Sequence, residues 1–572
     1  MNKHWHMLQP DPQAVRELSR NLNCHPVTAA VLANRNITTP SDARHFLNVS
    51  LNNLRPPSTL KGIEAAVKRI YDAIAGKQKI LIFGDYDVDG ITSTVILLNF
   101  LRHVGADVTY YIPHRINEGY SIQPRHISHY ARPNHFDLII TADCGSSSHE
   151  AVAAANKCGI DTVITDHHNI GDDLPPALTV INPKRHDCQA GLENLAGVGV
   201  AFYLLISLRT YLREKGFWQE GQEPNLKNYC DLVALGTVAD MVPLVEENRI
   251  LCKTGLDIIN TGRRLGLAAL LEASGVRNDA LNAEDIAFRM APRLNAAGRM
   301  DHAARAVELL TTQDVDDAAA AAQMLNRLNQ KRQQLEKVTL AEIEEYLAIN
   351  PSLLRQRSLV LSQDGWHAGL LGIVASRIME RYYRPVILIA TENGIGKGSG
   401  RSVPGINLYE ALTSCQTYLE AFGGHSMAAG LKIRQENIAE FQNALENSIQ
   451  GMTQPEDLIQ MMEIDAELDF ASISDGLIDE LESLMPFGAG NPEPLFVSSD
   501  VRVVSSKIVG KRHRRMVLRQ ISGRNTPSFQ AIHFNVDERS ARDKNFARLV
   551  FKLRWNRWNG KKTAQMVVED LQ

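Results

Sequence analysis

The sequence predicts an α/β protein in three parts: a parallel-sheet unit, a smaller α/β unit reached through a long helix, and a C-terminal OB-type β-barrel. Three observations carry this. Between Lys79 and about Gly199, short apolar runs (KILIFG, DVTYYIP, FDLIITADCG, DTVITDHHN, LTVINPK) alternate with helical stretches such as HEAVAAANKCG, the pattern of βαβ units around a parallel sheet. Asp301 to about Asn350 reads as helix throughout, and a long polar, alanine-rich helix of this kind bridges two lobes. Near the C-terminus, five short alternating strands (VRVVSSKIV, RRMVLRQI, FQAIHF, ARLVFKLRW, AQMVVEDL) are separated by basic turns, KRHRR and RWNRWNGKK, as in a small closed barrel.

The totals bound the class. A chain of 572 residues, 44% apolar and 22% charged, has room for about three or four domains. The Met-Asn-Lys-His-Trp start lacks an apolar signal core, and the longest charge-free apolar run, Leu195 to Leu208, falls short of the ~20 residues that span a bilayer. The expected location is the cytoplasm. Seven cysteines, never in CxxC spacing, fit reduced thiols better than a disulfide framework or a zinc knuckle. Net charge is −4, but it is unevenly spread: Val497 to Gln572 carries 17 Lys+Arg against 6 Asp+Glu. A basic module on an acidic chain points to a localised polyanion contact.

The stretch that organises the first unit is Lys79 to Thr92, KILIFGDYDVDGIT. Ile80 to Phe83 form a buried strand that breaks at Gly84 and delivers Asp85, Asp87 and Asp89 at alternate positions, where open α/β sheets place their chemistry. An N-capping turn accounts for one aspartate. Three within five residues repel one another unless a cation neutralises them. The spacing lacks the downstream glutamate of an EF-hand. Two further runs repeat the arrangement: Asp143 follows one strand, and Asp166, His167 and His168 follow the next. Asp240 ends the apolar stretch DLVALGTVAD, whose Asp231 reads as a helix cap. Carboxylates with imidazole and no cysteine suit Mn²⁺ or Mg²⁺, and two such ions about 4 Å apart hydrolyse phosphoesters.

In the remaining stretches, PHRINEGYS offers Arg115 and Glu118, and APRLNAAGRM offers Arg293 and Arg299 as phosphate clamps. GKGSGRSVPG and FGGHSMAAG are glycine-rich without Walker spacing, and add Ser399, Arg401 and His425 as donors. In the barrel, Phe529, Phe534, Trp555 and Trp558 are candidates for base stacking, with Trp558 the ring expected to be exposed.

GDYDVDG, TADCG, TDHH and GTVADMVPL, in this order, resemble the four motifs of the DHH/DHHA1 phosphoesterase superfamily, and in particular its branch of single-stranded-DNA exonucleases. The resemblance implies a DHH catalytic domain over 51–300, connecting helices over 301–354, a DHHA1 substrate-binding domain over 355–454 and a nucleic-acid-binding OB domain over 455–572, behind an N-terminal helical segment, 1–50. It assigns Asp87 and Asp89 to separate metals, Asp143 to bridging them, and His167 and Asp240 to completing the shell. His168 then faces the scissile phosphate and, with Asp85 and Asp166, makes up the catalytic set. Asp85 stands where several relatives carry a His, as a direct or outer-shell ligand. Arg115, Arg293, Arg299, Ser399, Arg401, His425 and Trp558 are assigned to substrate. The implied activity is 5′-to-3′ hydrolysis of single-stranded DNA with Mn²⁺ or Mg²⁺, in recombination and repair, by a monomer working with a single-strand-binding protein or a helicase. The alternatives are a phosphoesterase for small nucleotides or oligoribonucleotides, and an inactive nucleic-acid-binding scaffold.

Overall fold

The computed structural model describes residues 3–219, 221–275, 281–510, 512–521, 526–536, 543–558 and 560–572. The chain opens on a short strand, β1 (His4–Met7), and three helices, α1 (Pro12–Leu22), α2 (Pro26–Asn34) and α3 (Pro40–Leu47). Each helix begins with proline, whose missing N–H costs nothing in the first turn, behind a residue whose side chain caps it: Asp11, His25 and Thr39. These elements have no core of their own. Leu18, Ala29 and Leu32 are buried together with Phe470, Leu481 and Phe551, more than 400 positions away in sequence. β1 also pairs in parallel with Met461–Ile464.

A helix, α4 (Ile63–Ala75), leads into the first sheet. Its five strands, β2 (Lys79–Gly84), β3 (Asp107–Tyr111), β4 (Leu138–Ala142), β5 (Asp161–Thr165) and β6 (Thr179–Ile181), all run parallel in the order β3-β2-β4-β5-β6. Side chains alternate between faces, so Ile80 and Ile82 join one core while Leu81 and Phe83 join another. The first core receives α4, α5 (Val88–His103), α7 (Gly197–Glu214) and α8 (Cys230–Ala239); the second receives α6 (His149–Lys157). Burial on both faces explains why the strand runs are apolar without alternation.

After α9 (Glu246–Ile259) and α10 (Ala291–Met300), the 35-residue helix α11 (Val315–Ile349) extends about 50 Å. Its two ends belong to different cores. Ala318, Ala322 and Leu325 pack into the first unit, Ile343 and Leu347 into the second. That second unit is a five-stranded mixed sheet, β7 (Leu359–Asp364), β8 (Val386–Glu392), β9 (Ile395–Arg401), β10 (Leu419–Gly424) and β11 (Ala428–Arg434), in the order β10-β11-β9-β8-β7, with α12 (Leu371–Tyr382) packed on β8 and β9.

The last unit begins with β12 (Met461–Ile464), β13 (Ala466–Glu467) and α13 (Asp475–Ser483). Strands β14 (Phe496–Val509), β15 (His513–Gln520), β16 (Ser528–His533), β17 (Asn545–Trp558) and β18 (Lys561–Leu571) then pair as β14-β15-β16-β18-β17, and β17 returns to β14. The ring closes, and the β16–β18 pair is its parallel step, as in an OB barrel. Phe529 is partly buried against this core and Trp555 lies within it, while Phe534 is exposed. The side chain of Trp558 lies outside the described residues.

One arginine ties the barrel unit to the catalytic one. Arg249 on α9, 2% exposed, donates to the carbonyls of Phe46, Ser483 and Leu484 and stacks on the Phe46 ring at 3.8 Å. It holds the carbonyl ends of α3 and α13 at once, where a cation complements both helix dipoles.

Candidate active site

The carboxyl ends of β2, β4 and β5 converge. Past β2 the chain turns through Asp85 and Tyr86 into α5, whose N-cap is Asp87, with its Oδ1 accepting the Gly90 N–H at 3.1 Å. Within the first turn of the helix is Asp89, which is fully buried, and both its oxygens are engaged by the first turn of α7. Gly197 N–H donates to Oδ2 at 2.7 Å and Val198 N–H to Oδ1 at 2.9 Å. The helix N-terminus steadies a charge that burial penalises.

Past β4, Asp143 takes a left-handed backbone, φ 64°, which aims its side chain back across the sheet edge. Past β5, Asp166 accepts the backbone N–H groups of Ser146, His167 and His168 and the Nδ1–H of His168 at 2.8 Å. Every oxygen of Asp166 is thereby committed to local order, and the His168 ring is held through its Nδ1. His167 points inward: its Nε2 lies 3.3 Å from Asp143 Oδ1, 3.4 Å from Asp240 Oδ2 and 3.8 Å from Asp89 Oδ2. Asp240 arrives from the carboxyl end of helix α8, not from a strand, while Asp231 at the start of that helix pairs with Arg264.

Among the described residues, three sets of donor atoms lie close enough together to share an ion: Asp143, His167 and His168; Asp89, His167 and Asp240; and Asp85, Asp87 and Asp143. The electrostatics call for one. Burial, reinforced by Asp87, lifts the Asp89 carboxyl to about 7; burial with Asp89 and Asp87 lifts Asp240 to about 9, and Asp143 and Asp85 are also held well above the carboxylate range. Burial and the neighbouring His168 push His167 down to about 3, leaving it neutral, the form that ligates metal. Against the cost of its own burial, the Asp166 hydrogen bond holds His168 up to about 9. Asp143 Oδ1, Asp85 Oδ1 and Nε2 of His167 are buried without a hydrogen-bond partner among the described residues, while the His167 ring is also held by the Leu195 backbone. Orphaned acceptors facing one another are what a divalent cation satisfies, and this donor set, oxygen with imidazole, fits Mn²⁺ or Mg²⁺.

Two glycines make the packing possible. A Cβ on Gly197 would fall 2.4 Å from Asp143 Oδ1, and one on Gly236 of α8 would fall 2.8 Å from Asp89 Oδ1 and 2.3 Å from Thr92 Oγ1. Only glycine lets α7 and α8 approach the carboxylates this closely.

A group of cations stands beside the acids. Arg115 stacks on Tyr86 at 4.6 Å, and Arg299, at the end of α10, donates to the Gly369 carbonyl at 2.9 Å. Burial lowers the Arg299 guanidinium to about 9, and Arg115, Arg332 and Arg401 repel it further. Ser399 and Arg401 on β9 meet the first turn of α12, where a Cβ on Gly372 would lie 2.7 Å from Arg401 Nη2. Burial, and then the charges of His168 and Lys184, hold the imidazole of His425, after β10, below its ordinary value. Arg293 donates instead to Asn326 on α11 and to the Arg289 carbonyl. Sequence reading passes over Tyr120, whose hydroxyl lies 3.1 Å from His168 Nδ1, and over Arg332, buried on α11. Tyr120 sits in the PHRINEGYS loop already singled out for its charges; Arg332 gives no signal in a helix rich in arginine.

Parallel-sheet topology and a carboxylate–imidazole cluster at the strand ends define a metal-dependent phosphoesterase of the DHH type. Residues 79–237 match the DHH family, N-terminal domain, 355–451 the DHHA1 domain and 464–570 the RecJ OB domain. The chain is 35% identical over 576 residues to the single-stranded-DNA-specific exonuclease RecJ of Bacillus subtilis, covering 99% of this chain and 70% of that one. To its counterpart in Salmonella typhimurium it is 38% identical over 541 residues, 92% of each. Crystal structures of RecJ from Thermus thermophilus with Mn²⁺ and with Mg²⁺ superpose on the whole chain with TM-scores of 0.83 and 0.77, at 31% and 30% identity, covering 79% and 78% of those chains. The chain belongs to the RecJ family.

Proposed function

We infer that this protein is a metal-dependent exonuclease that hydrolyses single-stranded DNA. The observation that carries the reading is the set of buried, unpartnered acceptors at the strand ends, Asp143 Oδ1, Asp85 Oδ1 and His167 Nε2, among aspartates whose charges need a cation. In this reading Asp87, Asp89, Asp143, His167 and Asp240 would hold two Mn²⁺ or Mg²⁺ ions, with Asp85 beside them. Ions so held supply an activated water and stabilise the departing oxygen of a phosphoester. Asp166 fixes the His168 ring, and the protonated imidazole offers a charged donor to the phosphate under attack. Arg115, Arg299, Ser399, Arg401 and His425 then grip the flanking backbone, with the Arg115–Tyr86 stack at the mouth and Arg293 bracing α11.

The units that serve this reading are a catalytic 51–300, connecting helices 301–354, a substrate-binding 355–454 and a DNA-binding 455–572 completed by 1–50. Family resemblance supports 5′-to-3′ polarity, a place in recombination and repair, a monomeric state, and delivery of substrate by a single-strand-binding protein or helicase. It also supports a cytoplasmic site of action; among the described residues no helix is long and apolar enough to cross a membrane. A small-nucleotide phosphoesterase has no use for the closed basic barrel.

The test is degradation of oligonucleotides labelled at either end, as single-stranded DNA, RNA and duplex, with Mn²⁺, Mg²⁺ or chelator. Mononucleotide release from the 5′ end of single-stranded DNA alone, abolished by chelator, is expected. Equal rates on all three polymers would sink the specificity.

A further inference from the structure

The barrel carries two sets of cations that are treated differently. On β17 and β18, Lys552 pairs with Glu493 and Glu569, Arg554 with Glu284 of the catalytic unit, Arg557 with Glu482, and Lys562 with Asp479. These four charges are taken up by ion pairs, three of which reach α13 or the first unit; Arg548 on β17 stacks on the Trp5 ring at 5.2 Å, and Lys561 at the start of β18 forms no ion pair among the described residues. On β14 and β15 the opposite holds. Arg502 stands directly across from Arg519, and Lys507 from Arg515, on the outer face of the ribbon, and none of the four forms an ion pair among the described residues.

Like charges directly opposite on a sheet repel, and two such pairs on one ribbon are a standing cost unless an anion lies between them. The guanidinium groups are oriented by neutral partners: Arg515 donates to Gln530 at 2.7 Å and Arg519 to Ser528 at 3.0 Å, both on β16. Their charge is left whole for a ligand. The two pairs are four residues apart on β15, about 13 Å along the strand, long enough to follow successive charges of an extended polymer. At one end they open into a groove of about 640 Å³ lined by Arg502, Val504, Arg519, Ile521 and Thr526, in which Val504 and Ile521 are more than half exposed. Cations with adjacent exposed aliphatic surface fit a backbone of phosphates whose bases rest on the apolar edge.

We propose that the outer face of β14–β15, through Arg502, Lys507, Arg515 and Arg519, is the track on which the barrel holds single-stranded DNA, while the β17–β18 side docks the barrel to the rest of the chain. This rests on the nucleic-acid reading above and adds the face. Of the two basic turns that the sequence offered, it keeps the KRHRR side, where Arg515 lies, and moves the contact away from RWNRWNGKK and Trp558.

The experiment uses the full chain. Binding of a fluorescein-labelled thirty-nucleotide single strand is followed by anisotropy in chelator over a series of salt concentrations. The protein is compared with R502Q/K507Q/R515Q/R519Q, with the charge-retaining R502K/R515K/R519K, and with R557Q/K562Q. Every phosphate that the protein ceases to neutralise lowers the log–log salt slope by ~0.7, so the four-glutamine variant should show a slope smaller by up to about 3. It should also bind at least tenfold more weakly at low salt. The lysine variant should stay near wild type, which excludes misfolding as the cause, and R557Q/K562Q should keep the wild-type slope. An unchanged slope in the four-glutamine variant, or an equal decrease in R557Q/K562Q, overturns the proposal. Cleavage of a tetranucleotide and of the thirty-mer by the wild type with Mn²⁺ separates the two readings. If neither is cut while the slope still falls in the variant, the face stands and the exonuclease reading fails. If both are cut and the slope does not move, the reverse holds.

Discussion

Replacing Gly197 by alanine tests whether the first turn of α7 is part of the metal centre. The new Cβ would lie 2.4 Å from Asp143 Oδ1 and 2.7 Å from Asp143 Cβ and Cγ, against an ordinary contact of 3.4 Å or more, so the carboxylate or the helix must retreat by about 1 Å. If the helix retreats, Asp89 loses the two N–H donors now at 2.7 and 2.9 Å. If Asp143 retreats, its alignment with His167 Nε2 at 3.3 Å is lost. Overpacking of this kind costs about 1–3 kcal/mol, and disturbing the groups that orient metal ligands weakens affinity about 10–100-fold. The two ranges agree, since tenfold is about 1.4 kcal/mol. Calorimetric titration of Mn²⁺ into metal-stripped protein measures the effect directly. Gly199→Ala is the control: the three atoms nearest its Cβ all belong to the Leu195 side chain, the closest at 3.0 Å. Mn²⁺ affinity within twofold of wild type in Gly197→Ala, or an equal loss in Gly199→Ala, would refute the reasoning.

Other changes separate the roles of the remaining residues. Asp143→Ala should abolish hydrolysis and most Mn²⁺ binding yet leave binding of a long single strand in chelator nearly intact; anisotropy beside a cleavage assay checks both. His168→Ala should lower kcat by about 100-fold or more while retaining most of the bound metal, because its Nδ1 is given to Asp166; equal metal loss in both variants would make it a ligand. Arg249→Met should cost about 3–5 kcal/mol in urea unfolding, since it leaves the carbonyls of Phe46, Ser483 and Leu484 without their donor, and a loss under 1 kcal/mol would contradict the latch. Saturating Mn²⁺ at about 100 times its Kd should stabilise the protein by ~2.7 kcal/mol, read as a rise in Tm that chelator reverses and that Asp143→Ala lacks.

The acids at the strand ends were legible because each follows a short apolar run, so periodicity alone places Asp87, Asp143 and His167 on one sheet edge. Asp240 carried a weaker signal, since an apolar stretch of its length reads equally as strand or helix, and it is the end of a helix. Gly197 and Gly236 were invisible as functional residues: their meaning is an absence of side chain at a close approach that exists only after the helices have packed. Arg249 was hidden for a related reason. Nothing in EENRILCK tells a buried arginine from a solvated one, because its three acceptors come from two distant segments of chain. The barrel was legible as five strands, yet not which of its basic faces is neutralised, since Glu284, Glu482 and Asp479 reach it only through tertiary contact.

The shared core of the first three helices and the barrel also sets a schedule for synthesis. Trp5 donates its indole N–H to Asp570, 565 positions later, and Leu18, Ala29 and Leu32 find their apolar partners only in the last quarter of the chain. At roughly 5–20 residues per second, the amino-terminal segment waits about half a minute to two minutes after emerging from the ribosome before its partners exist. During that interval the catalytic and substrate-binding lobes, whose cores lie wholly between residues 60 and 449, can complete their own packing. The chain's two ends therefore meet last, and a nascent protein cut short before the barrel would hold a finished metal centre beside an apolar amino-terminal segment exposed to aggregation or to chaperones.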